Sequence, residues 1–238
     1  MVKSASANGL LIYGGSFNPI HIGHLRLAIE SRECLHELFD KVDFVPSACH
    51  PQKDHSTLLP FDLRSKLIRD AIKNLPWASC NELERERQGP SYTLDTLLEY
   101  GRKYVKENLF FLIGSEDFKL LPSWHKGLDI ASYCNLVVAP RGNFSLEEFT
   151  GLCRRFWACE NSQLKEGNES GTLAYTRLRL HSGTFVFYLS VPYLEISASR
   201  IRSLWLKNLN IDFLVPKEVL EFLNKEKLLV RESWQKKE

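Results

Sequence analysis

The sequence has no apolar run long enough to cross a membrane as a helix, which takes about 20 residues. Residues 1–9 also lack the apolar core of a secretory signal peptide. Both absences exclude the common signals for membrane insertion and export. We therefore expect a cytoplasmic protein with no membrane among its partners.

The chain also lacks an excess of charge of either sign. Its 31 lysine and arginine residues face 29 aspartate and glutamate residues, so the net charge is only +2. A protein that binds nucleic acid through its overall field is usually far more basic. The composition therefore argues against a nucleic-acid partner, and any affinity for anions must come from a local arrangement of residues.

No two of the six cysteines form a Cys-x-x-Cys pair. Structural zinc sites usually contain closely spaced ligands, and disulfide frameworks belong to secreted proteins, so neither is expected. The closest mixed cluster, Cys49 and His50 with His55, is typical of a polar loop. We predict reduced cysteines and no metal site made of protein ligands.

The length and apolar content suit one α/β domain with a full core, because 44% of the 238 residues are hydrophobic. We expect a single domain over residues 1–238. Polar and glycine-containing composition predicts a surface insertion near residues 142–184, and helical patterns predict a helical C-terminal part over residues 197–230. A homo-oligomer is neither required nor excluded.

The most informative stretch is LLIYGGSFNPIHIGHL at residues 10–25. Four apolar residues predict a buried strand, Gly14 and Gly15 interrupt it, and a helical pattern opens near His24. Glycine can adopt positive φ and lets an anion approach the backbone, while a helix N-terminus adds N–H groups and a positive dipole end. The imidazoles of His21 and His24 can donate to phosphoryl oxygens in either protonation state. This combination predicts a nucleotide-phosphate site rather than an ordinary turn.

Apolar segments that alternate with helical patterns predict an α/β fold with a doubly wound parallel sheet. A helix at residues 23–39 followed by a strand at residues 42–45 makes the first βαβ unit, with an expected right-handed crossover. The further expected strands lie at residues 78–83, 109–113, 135–139 and 185–189. The further expected helices include residues 61–75 and 144–157.

A second informative segment runs from Gly89 to Thr96 and combines a Gly-Pro break with hydroxyl side chains at a helix start. Ser91 or Thr93 is the expected N-cap of that helix. Exposed N–H groups and hydroxyls there could also hold the carboxylate or amide of a ligand, and Tyr92 supplies a flat apolar face. The segment therefore predicts a helix start with the means to bind a ring-bearing ligand.

A third segment, from Ile196 to Arg202, follows the last expected strand. Ser197 can cap a helix whose first turn presents Ser199, Arg200 and Arg202. Guanidinium groups bind phosphates in bidentate fashion, and the helix dipole favours anions at the same end. This segment predicts a second phosphate-binding feature.

Together these motifs resemble the nucleotidyltransferases with a His-x-Gly-His signature. The stretch from Gly14 to Leu25 is most similar to the nicotinate or nicotinamide mononucleotide adenylyltransferases. The segment Gly89 to Thr93 resembles the mononucleotide motif of the bacterial nicotinate enzymes, and residues 196–202 resemble their Ile-Ser signature with its arginine. The resemblance covers residues 10–229 apart from the insertion, and it implies a Rossmann-like nucleotidyltransferase fold.

The resemblance also implies three sets of site residues. The catalytic set is His21, His24 and Arg202. The set that binds ATP and its phosphates is Gly14, Gly15, Ser16, Phe17, Lys53, Gly114, Glu116, Ile196, Ser197 and Ser199. The set that binds the mononucleotide is Asn18, Ser91, Tyr92, Thr93, Thr96 and Trp124. Whether Glu116 or the adjacent Asp117 accepts a ribose hydroxyl stays open.

The implied reaction transfers AMP from ATP to nicotinate mononucleotide and gives nicotinate adenine dinucleotide and pyrophosphate, a step of NAD biosynthesis. The attacking phosphate is mostly dianionic near neutral pH, because its second pKa is about 6, so no strong general base is needed. Mg²⁺ is the expected cofactor, bound mainly by ATP phosphates and water. The expected partners are ATP and a pyridine mononucleotide.

Alternatives stay open at this point. One is a nicotinamide mononucleotide or phosphopantetheine adenylyltransferase. Another is a non-catalytic nucleotide sensor on the same fold, because residues 50–53 and Glu116 depart from the family pattern. An aminoacyl-tRNA synthetase is disfavoured, because no Lys-Met-Ser-Lys-Ser-like loop is present.

Overall fold

The computed structural model describes residues 9–49, 57–87, 89–158, 165–167, 174–192 and 194–235. Its contacts divide the chain into two compact units. The first unit consists of Met1–Gly14, Leu27–Val42 and Tyr92–Tyr193. The second unit consists of Gly15–Arg26, Asp43–Ser91 and Leu194–Glu238.

The strands form an eight-stranded sheet in the order β3-β2-β1-β4-β5-β8-β7-β6. Their bounds are β1 Gly9–Gly15, β2 Phe39–Pro46, β3 Ala78–Cys80, β4 Leu109–Gly114, β5 Asn135–Ala139, β6 Lys165–Gly167, β7 Ala174–Arg179 and β8 Phe185–Ser190. The sheet is mostly parallel and flanked by helices, so the predicted α/β fold class is confirmed.

Four of these strands, β1, β4, β5 and β8, pair in parallel. Leu11 faces Phe110 between β1 and β4, and Val137 faces Phe187 between β5 and β8. These residues are buried, as expected for strands covered on both faces. The continuous apolar runs in the sequence therefore identified the centre of the sheet.

Two further strands extend the sheet in antiparallel fashion, with β7 paired to β8 and β6 paired to β7. Both lie within residues 142–184, the stretch expected to be a surface insertion. Leu178 of β7 is buried, as are Phe149 and Cys153 of a helix in the same stretch. This part of the chain thus contributes to the core, although its strands were not predicted.

Eight α-helices lie within the described residues. Their bounds are α1 Ile22–Cys34, α2 Phe61–Ile72, α3 Thr93–Tyr100, α4 Ser115–Lys119, α5 Leu146–Trp157, α6 Ala198–Leu206, α7 Lys217–Lys225 and α8 Lys227–Trp234. None of them is long and apolar enough to cross a membrane. Helix α1 ends earlier than predicted, because the backbone N–H groups of Leu38 and Phe39 both donate to the Leu35 carbonyl and close a turn into β2.

Candidate functional site

The loop after β1 turns at Phe17 rather than at the two glycines. Phe17 has φ of 44°, and neither Gly14 nor Gly15 is among the described residues with positive φ. A Cβ on Gly15 would lie 3.2 Å from the ring of Phe17, which is itself buried. The two glycines therefore do not adopt the positive φ that glycine allows, and the missing Cβ at position 15 instead leaves room for the Phe17 ring.

His21 and His24 stack against each other at the start of α1. Their ring centroids lie 3.6 Å apart with 21° between the planes. The backbone N–H of His21 donates to Nδ1 of His24 at 3.2 Å, and the backbone N–H of His24 donates to Nδ1 of His21 at 3.3 Å. Because each Nδ1 is an acceptor, the proton of each neutral ring resides on Nε2. The stacking places both rings on one side of the helix start, as predicted.

Gly23 separates the two histidines and is tightly surrounded. A Cβ at this position would lie 3.1 Å from Nδ1 of His21 and 3.5 Å from Cβ of Ile196. Contacts of 3.0–3.4 Å force a neighbour to move by a few tenths of an ångström. The glycine of His-x-Gly-His therefore allows the His21 ring to approach the helix, whereas the distance to Ile196 is an ordinary van der Waals contact.

Asn18 is the most connected polar residue of the loop, and only 2% of its surface is exposed. Its Nδ2 donates to the carbonyl of Thr57 at 2.7 Å. Its Oδ1 accepts from the backbone N–H of Leu59 at 3.0 Å and from the indole Nε1 of Trp234 at 3.2 Å. The side chain that was expected to contact the mononucleotide is therefore engaged by the protein itself.

The first turn of α6 lies at the same loop. Ser197 is the N-cap of α6, since its Oγ accepts from the backbone N–H of Arg200, which confirms the predicted cap. Arg202 donates from Nη1 to the carbonyl of Asn18 at 2.9 Å, and burial lowers its pKa below the ordinary arginine value. Ser199 lies within 3.2 Å of Ser197, oxygen to oxygen. Both predicted phosphate features thus meet within the second unit.

Arg64 of α2 is a residue that the sequence analysis missed. It is 1% exposed and donates to three backbone carbonyls, from Nε to Leu59, from Nη1 to Ser16 and from Nη2 to Ser47. Burial lowers its pKa to about 10, against a smaller opposing effect of the Glu84 carboxylate. The signal was available, because an arginine stands on the apolar face of α2 beside the buried Leu67 and Ile68.

Ser91 anchors Cys49, in the loop after β2, instead of capping a helix. Its backbone N–H donates to the Cys49 carbonyl at 2.8 Å, and its Oγ accepts from the Cys49 N–H at 3.4 Å. The neighbouring Ala48 N–H donates to Oε2 of the buried Glu84 at 3.3 Å. The residue expected to contact the mononucleotide thus holds the segment that enters residues 50–56. Lys53, expected to contact phosphate, lies outside the described residues.

In the first unit, α3 begins at Thr93, and its N-cap is Tyr92 with no side-chain cap bond. The prediction of Ser91 or Thr93 as the cap is therefore wrong. Thr96 is buried, and its Oγ1 lies 3.5 Å from the Tyr92 carbonyl. The Tyr92 ring stacks on His125 with centroids 4.3 Å apart, an aromatic partner that the sequence analysis missed.

Trp124 also belongs to the first unit and is half-buried. Its indole Nε1 is buried and has no hydrogen-bond partner among the described residues. A buried indole N–H usually has an acceptor, so a ligand atom or water is the expected partner. Trp124, Tyr92 and His125 together offer flat faces and one unmatched donor.

The residues expected to contact ribose follow the end of β4. Glu116 and Asp117 are both exposed in the first turn of α4, and Glu116 pairs with Lys119 at 3.5 Å. A Cβ on Gly114 would lie 3.4 Å from Nε of Arg141, so a guanidinium group stands beside the glycine. Arg141 is a further cation in this region that the sequence analysis did not assign to the site.

The second unit therefore gathers imidazole N–H donors, hydroxyls and a guanidinium group at one loop and one helix start. Ser16 adds a buried Oγ without a hydrogen-bond partner in the described part of the chain. No group of three or more His, Cys, Asp or Glu side chains among the described residues could hold a metal ion directly. Such a donor set suits phosphate groups.

This donor set on a mostly parallel sheet defines the nucleotidyltransferase class, and the chain belongs to the cytidylyltransferase-like family, which it matches over residues 12–204. Its relatives within that class include proteins described as probable nicotinate-nucleotide adenylyltransferases. A protein of Geobacter metallireducens described as a probable nicotinate-nucleotide adenylyltransferase is 34% identical over 220 residues, covering 91% of this chain and 96% of that protein. A protein of Clostridium novyi with the same description is 30% identical over 214 residues, covering 90% and 95%.

Solved structures show the same fold. The nicotinic acid mononucleotide adenylyltransferase of Plasmodium falciparum, complexed with NaAD, has a TM-score of 0.65 and 20% identity, covering 93% of this chain and 97% of that chain. The family resemblance and the enzyme class predicted from the motifs are therefore confirmed.

Proposed function

We propose that this protein transfers the AMP group of ATP to nicotinate mononucleotide, releasing pyrophosphate and forming nicotinate adenine dinucleotide. One observation carries the proposal. The loop after β1, the His21 and His24 rings and Arg202 of α6 form one cluster of groups that can donate hydrogen bonds to phosphate oxygens. The descriptions of the relatives support the acid mononucleotide as acceptor. The phosphopantetheine and sensor alternatives have no comparable support.

In the proposed reaction an oxygen of the mononucleotide phosphate forms a bond to the α-phosphorus of ATP, and the bond from that phosphorus to the bridging oxygen of pyrophosphate breaks. Because the nucleophile is an anion already, no residue has to remove a proton. His21, His24 and Arg202 would stabilise charge on the phosphates as it shifts toward pyrophosphate. Holding both substrates in line supplies the rest of the rate enhancement.

The phosphate chain would lie along Gly14, Gly15, Ser16 and Phe17 and at the start of α6, with Ile196, Ser197 and Ser199. The unmatched Oγ of Ser16 supports this placement. Lys53 is proposed as a further phosphate contact, and Gly114 with Glu116 as the ribose side of the site. Asn18 and Ser91 are engaged in bonds within the protein, so we propose that they shape the site rather than touch the substrate.

The mononucleotide would bind at Tyr92, Thr93, Thr96 and Trp124. The rings of Tyr92 and Trp124 offer stacking faces to a pyridine. The unmatched indole N–H of Trp124 supports a polar ligand atom there.

Mg²⁺ is the proposed cofactor, and it would neutralise charge on ATP. Since the cluster consists of N–H donors and cations, the metal would be held by phosphate oxygens and water. Cytoplasmic location, a single domain, the lack of a nucleic-acid partner and the oligomeric state stay predictions.

The test is a product assay with purified protein, ATP, Mg²⁺ and nicotinate mononucleotide, followed by separation of the nucleotides and measurement of pyrophosphate. We expect equal amounts of dinucleotide and pyrophosphate. Reactions with ATP alone and with 4′-phosphopantetheine as acceptor are the controls. ATP binding without any product at high enzyme concentration would favour the sensor alternative. Product with 4′-phosphopantetheine but not with nicotinate mononucleotide would show that the acceptor is phosphopantetheine.

A further inference from the structure

The end of the chain reaches the centre of the site loop. Trp234, in the last turn of α8, donates from its indole Nε1 to Oδ1 of Asn18 at 3.2 Å, and the two residues are 216 positions apart. Both side chains are buried, Trp234 at 4% and Asn18 at 2% exposure. A buried hydrogen bond of this length between distant segments restrains the Asn18 side chain in one orientation.

The Asn18 amide needs that indole to complete its hydrogen bonding. An amide oxygen accepts two hydrogen bonds, and here the two donors are the Leu59 N–H and the Trp234 indole. The amide nitrogen donates to the Thr57 carbonyl. With its side chain held in this way, Asn18 presents its backbone carbonyl to Arg202 at 2.9 Å.

Trp234 also touches the helix that carries Arg202. Its indole packs edge to face on Trp205, with ring centroids 5.3 Å apart and planes at 84°. Trp205 lies three residues after Arg202 on α6, so it occupies the next turn of the same helix face. Arg231 of α8 lies over the Trp205 ring at 5.7 Å, which strengthens the contact between the two helices.

We propose that Trp234 is a positioning residue that sets Arg202 of α6 and the Asn18 loop at a fixed separation, so that α8 forms part of the catalytic apparatus. The proposal rests on the proposed adenylyl transfer. Trp234 acts through Asn18 and Trp205 and does not itself touch substrate. The guanidinium group of Arg202 can then contact the substrate phosphates only while α8 is packed against α6 and the Asn18 loop.

Trp234→Phe tests the proposal because phenylalanine keeps much of the ring packing and removes the N–H donor. We expect kcat to fall about fivefold to tenfold, the scale of one hydrogen bond, with KM for each substrate changed less than about twofold. The matched control is Trp157→Phe. Trp157 is half-buried in the first unit and donates its indole N–H to the Leu128 carbonyl at 3.0 Å, so it loses an equivalent bond. The control should keep its kcat.

A double variant separates positioning from general stability. If Trp234 acts through Arg202, Trp234→Phe should lower kcat in the wild-type background and have no further effect once Arg202 is alanine. Losses that multiply in the double variant, or a Trp234→Phe protein with wild-type kcat, overturn the proposal. Absence of product with the wild-type protein would instead count against the proposed function.

Hydrogen exchange of the indole N–H can be measured on the wild-type protein, so it depends neither on product formation nor on whether a variant folds. With nitrogen-15 labelling, the Trp234 N–H should exchange at least about threefold more slowly when ATP is bound, because a ligand on Arg202 favours the docked state of α8. The Trp157 N–H serves as the reference. Equal slowing of both, or no slowing of Trp234, would contradict a link between α8 and the site.

Discussion

Arg202 donates a hydrogen bond from Nη1 to the backbone carbonyl of Asn18 at 2.9 Å, joining segments that are 184 residues apart. This bond places the start of α6 against the loop after β1. Together they present two imidazole rings, hydroxyls and a guanidinium group in the second unit, which is the basis for the predictions on activity.

We predict that His24→Ala and Arg202→Ala each lower kcat by roughly a hundredfold or more, the scale of losing a preorganised donor. The melting temperature should change little, since Arg202 is only half-buried and the His24 side chain is not fully buried. Steady-state kinetics and thermal melts measure both effects. His36→Ala is the control, because His36 is exposed and its ring contacts only the Glu33 carbonyl among the bonds described. Near-wild-type kcat in both variants would remove the catalytic assignment.

Gly23→Ala should lower kcat about threefold to tenfold with little change in KM, because the added methyl group pushes on the His21 ring. The matched control is Gly151→Ala in α5, where a Cβ meets nothing within 4 Å. That control should raise stability by about 0.5–1 kcal/mol through helix propensity. A Gly23→Ala protein with full kcat would show that the His21 ring position is not critical.

Arg64→Met should destabilise the protein by about 3–5 kcal/mol, because two buried carbonyls and one partly buried carbonyl lose their donors. Arg64→Lys should recover only part of the loss, since an ammonium group cannot reproduce the planar fork. Denaturant unfolding measures the free energies. Arg69→Met on the same helix is the control. Arg69 is about half exposed and pairs with Glu82, so its loss should cost less than about 1 kcal/mol. Equal effects of Arg64→Met and the control would refute the role given to Arg64.

Nicotinate mononucleotide should be preferred over the amide by about tenfold to a hundredfold in kcat/KM. The N-terminus of α3, which no side chain caps, favours a carboxylate, whereas a carboxamide brings its own N–H donors toward N–H groups. Asn18 argues for neither substrate, because its amide is occupied by Thr57, Leu59 and Trp234. Kinetics with both mononucleotides decide the question. A higher value for the amide would change the substrate and leave the adenylyltransferase class intact.

Stability should fall as pH rises above about 9, in part through Cys34. Burial, with a smaller effect of Glu30, raises the pKa of the Cys34 thiol to about 12. Between pH 9 and 12 the unfolded chain loses this proton while the folded chain keeps it, so the unfolded state gains stability. Between pH 8 and 10 Cys34 should account for about 1.4 kcal/mol of the decline, one pKa unit of differential ionisation. Under reducing conditions, Cys34→Ala should show a decline smaller by that amount; identical pH slopes would contradict the assignment.

The sequence was sufficient where the structure depends on near neighbours. The apolar runs identified β1, β4 and β5, and the predicted cap of α6 is confirmed, because Ser197 needs only the N–H of Arg200. The proximity of His21 and His24 follows from helical spacing in the same way. The antiparallel strands β6 and β7 were missed, because their segment is polar and their pairing depends on the neighbouring β8.

The sequence by itself therefore determined the class of the protein and the residue types at its site. These are a strand followed by a glycine pair, two histidines and a capped basic helix, and their local structure depends on residues only a few positions apart. Only the tertiary structure decided that Asn18 is hydrogen-bonded to Trp234, that Arg64 supports the loop from within the core, and that Ser91 anchors Cys49 in the loop after β2. Those roles depend on which buried donor meets which acceptor. Hydrogen bonds between residues tens to hundreds of positions apart leave no periodic pattern along the chain, so only the folded structure reveals them.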